Sequence, residues 1–240
     1  MEKLKQQLDD LLNRLEHADE VRSGLVRLIS IYPFNEFEYV ISQLLAANKL
    51  TLAEYNSIRN EYISRNKYQD LYEIAPRSFG EVWGHPYLKQ LVPNLKAPLS
   101  QEYDFLLPPN IRVEVKASRV TDAKSKKAFA AKSLPSNSQA PFVMNFQQLK
   151  PRCCDVFVWM AVWRDIIKHW VIPSCEIERR YSPQHRGNVG EGQIHVRRNN
   201  IHSLDKYLTE PEEIEKAIEQ EYDNEMRLRP EGCAKIKNLK

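Results

Sequence analysis

The sequence predicts an α/β protein, a mixed sheet flanked by helices, with an N-terminal helical region in front of it. Three observations lead there. Residues 1–75 repeat apolar side chains at the 3.6-residue helical period. Residues 103–172 switch to short runs of β type. Within that stretch, Ile111–Ala117 alternates strictly and Asp155–Trp163 is a continuous apolar run, the pattern of a strand buried on both faces.

The elements follow in order. Leu4, Leu8, Leu11, Leu12 and Leu15 form one helical stripe, and Val21, Leu25, Leu28 and Ile29 form a second. Asn35 and Glu38 have capping-box spacing ahead of Phe37, Val40, Ile41, Leu44 and Leu45. Thr51 and Glu54 repeat it, opening a helix with Leu52, Tyr55, Ile58 and Tyr62 inward. The helix pair over 36–65 is a loose helix–turn–helix, suited to packing, dimerisation or DNA contact. Ser78 and Glu81 open a further short helix with Phe79, Val82 and Trp83, which Pro86 must end or restart. Tyr103–Leu107 is a strand, Pro108-Pro109-Asn110 a turn and Ile111–Ala117 the next strand. Residues 118–140 lack apolar periodicity and predict a mobile or ligand-ordered loop. Residues 142–150 predict a short helix. Asp155–Trp163 and Ile166–Ile172 are hairpin partners around Arg164-Asp165, with Trp159, Trp163 and Trp170 as core and His169 at the surface or half-buried. Residues 179–200, with Gly187, Gly190 and Gly192, predict a flexible loop. An acidic helix starts at Pro211. The expected divisions are 1–75, 76–210 and 211–240.

Composition narrows the function. The chain has 240 residues, 42% hydrophobic, enough for a real core and too many for a disordered chain. No stretch reaches ~18 consecutive apolar residues and the N-terminal residues contain no apolar secretory core, so a soluble, cytoplasmic protein is expected. Cys153, Cys154, Cys175 and Cys233 form no C-x-x-C pair, which argues against a cysteine zinc site. The net charge of +3 hides segregation: residues 112–132 carry seven basic and two acidic residues, whereas residues 210–225 carry eight acidic residues and one lysine. A basic centre points to a polyanionic partner or to plain solvated surface.

The segment that carries chemistry runs from Tyr103 to Lys116. A hairpin there sets Asp104 beside Glu114 and Lys116, which share a face by the period of 2. Two carboxylates and an ammonium on one patch suit metal-assisted phosphodiester hydrolysis. Mg²⁺ takes one or two carboxylates and keeps its waters, so Asp104, Glu114 and the Val115 carbonyl suffice. Lys116 is placed to orient or deprotonate the attacking water and to offset transition-state charge. The same Glu114 and Lys116 would also suit an ordinary edge-strand ion pair.

Asp104, nine intervening residues, then Glu114-Val115-Lys116 resembles the D…(D/E)-x-K signature of the PD-(D/E)XK nuclease superfamily, and type II restriction endonucleases most. The order helix, strand, turn, strand, helix, strand over residues 78–172 resembles its core, although Tyr103 stands where the family usually has Pro. The resemblance implies a restriction-endonuclease-like fold, Mg²⁺ (with Mn²⁺ able to substitute), catalytic Asp104, Glu114 and Lys116, and Glu81 as a further metal ligand or else a helix cap. It implies double-stranded DNA as substrate, a homodimer matching palindromic targets, and a cognate DNA methyltransferase. The basic segments offer Arg119, Lys124, Lys126, Lys127, Lys132, Arg186, Arg197 and Arg198 for DNA contact. The rival readings are a non-catalytic DNA-binding protein using the 36–65 helix pair, and a repair or mobile-element nuclease with the same core.

Overall fold

The computed structural model describes residues 44–180, 182, 183 and 191–228, with positions 10, 14, 17, 19, 20 and 23 ahead of them. The leucine stripe over 4–15, the stripe over 21–29, the Asn35–Glu38 box and Gly187, Gly190 and Arg186 lie outside the described residues. The chain divides into two compact units, Met1–Ile63 and Ser64–Lys240. Among the described residues no helix is long and apolar enough to cross a membrane.

Helix α1 (Leu52–Arg65) opens on the expected box. Thr51 N donates to Glu54 Oε2 at 2.8 Å, and Glu54 N donates back to Thr51 Oγ1 at 3.2 Å, so two otherwise orphaned donors are satisfied reciprocally. The expected inward stripe is corrected. Tyr55 is buried, but Leu52, Ile58 and Tyr62 are exposed. Few apolar side chains on a helix rich in Glu, Asn and Arg cannot sustain a continuous buried face.

The unit Ser64–Lys240 is an α/β structure on two sheets. The first is mixed, with β1 (Phe105–Leu107), β2 (Ile111–Arg119), β5 (Val156–Val162), β6 (Ile167–Pro173) and β9 (Leu208–Thr209) in that order. β2 and β5 run parallel, Val113 opposite Val156 and Arg119 opposite Val162, while the other neighbours are antiparallel. The second sheet is antiparallel, with β3 (Thr121–Asp122), β4 (Phe142–Leu149), β8 (Gly192–Arg197) and β7 (Ser182–Pro183) in that order.

β5 explains the layering. Its residues are all buried because alternate side chains feed two cores. Phe157, Trp159 and Ala161 meet Phe142, Met144 and Phe146 of the second sheet. Val156, Val158 and Met160 meet Leu88 of α2 (His85–Leu91) and, beyond the short α3 (Ser174–Arg180) in the chain, Ile214 and Ile218 of α4 (Ile214–Leu228). The core assignment of Trp159, Trp163 and Trp170 holds, with all three no more than 3% exposed. His169, on β6 opposite Met160 of β5, is buried rather than at the surface.

Several elements differ from expectation. Residues 142–150 form β4, not a helix: Phe142, Met144 and Phe146 are buried while Val143 and Asn145 are partly exposed, a period of 2. The β2-to-β5 crossover therefore carries a strand where the family pattern has a helix. Residues 118–140 hold the end of β2, β3 and the 3₁₀ turn Ala130–Lys132, tied down by Ser136 N and Oγ on Asp165, each at 2.7 Å. Residues 192–197 of the expected loop are β8. The Ser78–Glu81 box does not form. Ser78 Oγ donates to the Ala75 carbonyl, and a π-helical turn, Gly80–Gly84, leads straight into α2 with Pro86 in its first turn.

That turn and α2 set Phe79, Trp83 and Tyr87 one above another. Phe79 stacks on Trp83 at 5.0 Å, Trp83 on Tyr87 at 4.8 Å, and Tyr87 on His169 at 5.7 Å. Gly84 lets the turn press against the sheet: an added Cβ would lie 3.1 Å from Ala117 Cβ and 3.3 Å from Met160 Cε.

Candidate active site

The β1–β2 hairpin builds the site. Phe105 pairs with Val113, so Asp104 lies one step beyond, level with Glu114. Asp104 N donates to the Val113 carbonyl at 3.1 Å. Its Oδ2 accepts from Val115 N at 2.8 Å, which fixes the carboxylate at the sheet edge. Val115 N–H and C=O point to the same side of a strand, so the Val115 carbonyl faces the Asp104 side.

Along β2, Ile111, Val113 and Val115 enter the core shared with the helices. Arg112, Glu114 and Lys116 face the other way. Lys116 Nζ lies 2.6 Å from Glu114 Oε1, and the Glu114 side chain is 8% exposed against 19% for Lys116. The three motif residues thus share one rim, as the sequence reading requires. Glu114 is the more deeply buried of the pair.

The pKa values of the two carboxylates shift in opposite directions. Burial pushes the Glu114 carboxyl up, the Lys116 charge pulls it back, and the Asp104 charge pushes it further. Burial also pushes Asp104 up. The hydrogen bond from His85, that from Val115 N–H, and the His85 and Lys116 charges together outweigh it and hold Asp104 below its ordinary range.

Sequence reasoning missed two neighbours. His85 Nε2 lies 3.4 Å from Asp104 Oδ2, and its ring meets Phe105 edge-on at 5.4 Å. The available signal was His85-Pro86, since a helix restarting at Pro86 projects the preceding side chain from its first turn. Lys150, just after β4, pairs with buried Glu191 at 3.1 Å, and its charge reaches Glu114. Glu191 gave no sequence signal, because it sits in a glycine-rich stretch without periodicity.

The remaining expected residues divide. Glu81 is exposed on the π turn, and among the described residues no three His, Cys, Asp or Glu side chains gather into a metal-binding group. Arg119 is a correction to the expected surface contacts. It is 5% exposed, donates to the Leu71 and Ile74 carbonyls at 2.9 and 2.6 Å, and lies between the Phe79 and Phe129 rings at 4.3 Å from each. A desolvated guanidinium with those partners is a strut between segments. Arg198 is bound to the Ser138 and Ala140 carbonyls and Gln139. Arg197 is exposed at the end of β8. Lys124, Lys126, Lys127 and Lys132 line a concavity of about 600 Å³.

Comparison with known proteins returned no matching family model and no matching curated sequence.

Proposed function

We propose that this chain is a Mg²⁺-dependent endonuclease with a PD-(D/E)XK-like core, cutting double-stranded DNA at a specific sequence as type II restriction endonucleases do. The observation that carries the proposal is the rim itself. Asp104 and Glu114 sit level on adjoining strands with their pKa values driven apart, and Lys116 is in contact with one of them. Carboxylates separated in this way mark sites of proton and charge chemistry. The supporting scaffold is a mixed sheet whose motif strand has a parallel partner, β5.

The donor set fits a hard cation. Asp104, Glu114 and the Val115 carbonyl would supply its protein oxygens, few enough for an ion such as Mg²⁺ that keeps several waters. When bound, Mg²⁺ or Mn²⁺ polarises the scissile phosphate and acidifies a water. The chain's own residues do the positioning. Val115 N–H holds Asp104 in place, His85 braces it, and Lys116 sets a positive charge beside Glu114 where the pentavalent phosphate gathers negative charge. A homodimer on palindromic DNA, a cognate methyltransferase and a cytoplasmic setting belong to the same proposal.

The test is cleavage of plasmid DNA in Mg²⁺. Wild-type protein should give discrete fragments, and excess EDTA should abolish them. Asp104→Asn keeps the acceptor for Val115 N–H but removes the charge. That variant, Glu114→Gln and Lys116→Ala should each lower the rate by about 10²–10³-fold or more. Cleavage undiminished by EDTA, or near-parental rates in Glu114→Gln, would overturn the proposal. A smear without discrete fragments would favour a repair or mobile-element nuclease. Binding without cutting would favour the non-catalytic reading.

A further inference from the structure

The concavity beside the second sheet carries uncompensated charge. It is lined by Lys124, Lys126, Lys127 and Lys132, with Asp122 the acidic residue on its wall. Asp122 Oδ1 is already engaged, accepting from Lys124 N at 2.9 Å. Four other lysines of this unit have carboxylate partners: Lys116 with Glu114, Lys150 with Glu191, Lys206 with Glu176 and Lys216 with Glu213. Among the described residues none of the four basin lysines has one. Four ammonium groups held around one hollow repel each other, and an anion that enters relieves the repulsion.

The chain fixes the reach of this basin from the motif. β2 runs on from Lys116 through Val120, whose N–H donates to the Val162 carbonyl, into β3. Lys124 stands eight residues beyond Lys116, at most about 26 Å along an extended chain. Successive phosphates on one strand of a duplex advance about 3.4 Å along the axis. The span is therefore at most about eight base pairs.

We infer that the lysine basin is a separate phosphate-backbone site for double-stranded DNA, which grips the duplex within about eight base pairs to one side of the bond being cut. This rests on the endonuclease reading for its distance, but the grip itself does not depend on catalysis. The lysines are point charges on mobile stems, which bind phosphate without reading sequence. The motif rim then chooses where to cut and the basin sets how much duplex is needed.

The experiment measures binding of a 30-base-pair duplex, about three helical turns, in EDTA across a salt series. It compares wild type, the triple variant Lys124→Ala, Lys126→Ala, Lys127→Ala, the matching triple Lys→Arg variant, and Lys216→Ala from the acidic helix. Loss of three phosphate contacts should flatten the log–log salt slope by about 2.7, so the triple Ala variant loses roughly 40-fold less affinity between 50 and 200 mM salt. The Arg variant should keep the wild-type slope, and Lys216→Ala should leave it unchanged. Melting temperatures should match, since the three side chains are exposed. An unchanged slope in the triple Ala variant overturns the basin, whether or not the protein cuts DNA. The expected slopes in a protein that cuts nothing would leave the basin standing and sink the nuclease reading. Where wild type cuts, the triple Ala variant should raise KM and keep kcat. Shortening the duplex stepwise on one side from about eight base pairs toward the cut should reproduce that KM in wild type; a fall in kcat alone, or indifference to shortening, would overturn the assignment.

Discussion

At the scale of single residues, Asp104 and Glu114 couple the site to stability through pH. The raised Glu114 pKa means that the folded chain holds a proton the unfolded chain releases. Its contribution is full below the ordinary Glu value of 4.5 and is lost as pH rises through the folded value. Asp104 has the opposite sign: its contribution is present above its ordinary value of 3.8 and is lost as pH falls through the folded one. Glu114→Gln should therefore become more stable relative to wild type as pH rises from about 4.5 toward neutrality. Asp104→Asn should lose relative stability over the acid-to-neutral range and approach wild type in strong acid. Urea melts of the three proteins between pH 3 and 8 check both trends, and parallel curves would contradict them. The Glu114–Lys116 pair was legible because a period of 2 places both on one face. Its depth was not, since burial of Glu114 depends on the second sheet lying across that face, and β4 was read as a helix.

At the scale of elements, the π turn and α2 dock through Gly84. A Cβ there would press on Ala117 Cβ, which cannot swing away, and on the flexible Met160 tip. Gly84→Val adds two further carbons in that gap and stiffens χ1, so it should cost about 1–3 kcal/mol through overpacking. A melting temperature equal to wild type would mean that the turn slides freely on the sheet. Other elements divide by how much of their pattern is local. β2, β5 and β6 were legible because alternation or unbroken apolarity is written within each strand. The Thr51–Glu54 box was legible because its partners are three residues apart. β4 was obscured by a break in its own pattern: the pairing with β8 shifts register between Phe146 and Leu149, and Gln148 sits at φ 54°, so the buried side chains change parity after Phe146. His85 and Lys150 reach the rim through packing between distant segments, which no local pattern encodes.

At the scale of the whole molecule, charge segregates by layer in the unit Ser64–Lys240. The acidic helix α4 packs on the helical side through Ile214 and Ile218. Ile214 and Ile218 are thereby buried inside the chain's own core. The lysine basin adjoins the second sheet on the other side. Such an arrangement orients an approaching polyanion toward one layer, most strongly at low salt. Tryptophan placement adds a different consequence. The chain has four tryptophans, all in this unit and all against another ring: Trp83 on Phe79 and Tyr87, Trp159 on Phe146 at 4.1 Å, and Trp163 on Phe142 and Trp170 at 6.0 and 6.5 Å. Rings held that close and rigid couple their electronic transitions, so the native protein should show intense, structured near-ultraviolet circular dichroism. That signal should vanish in one step on heating, while the far-ultraviolet signal also reports the helix α1; a near-ultraviolet melt in two steps would show that the two cores on either side of β5 come apart separately. The aromatic ladder thus makes the sandwich its own optical probe, without a label.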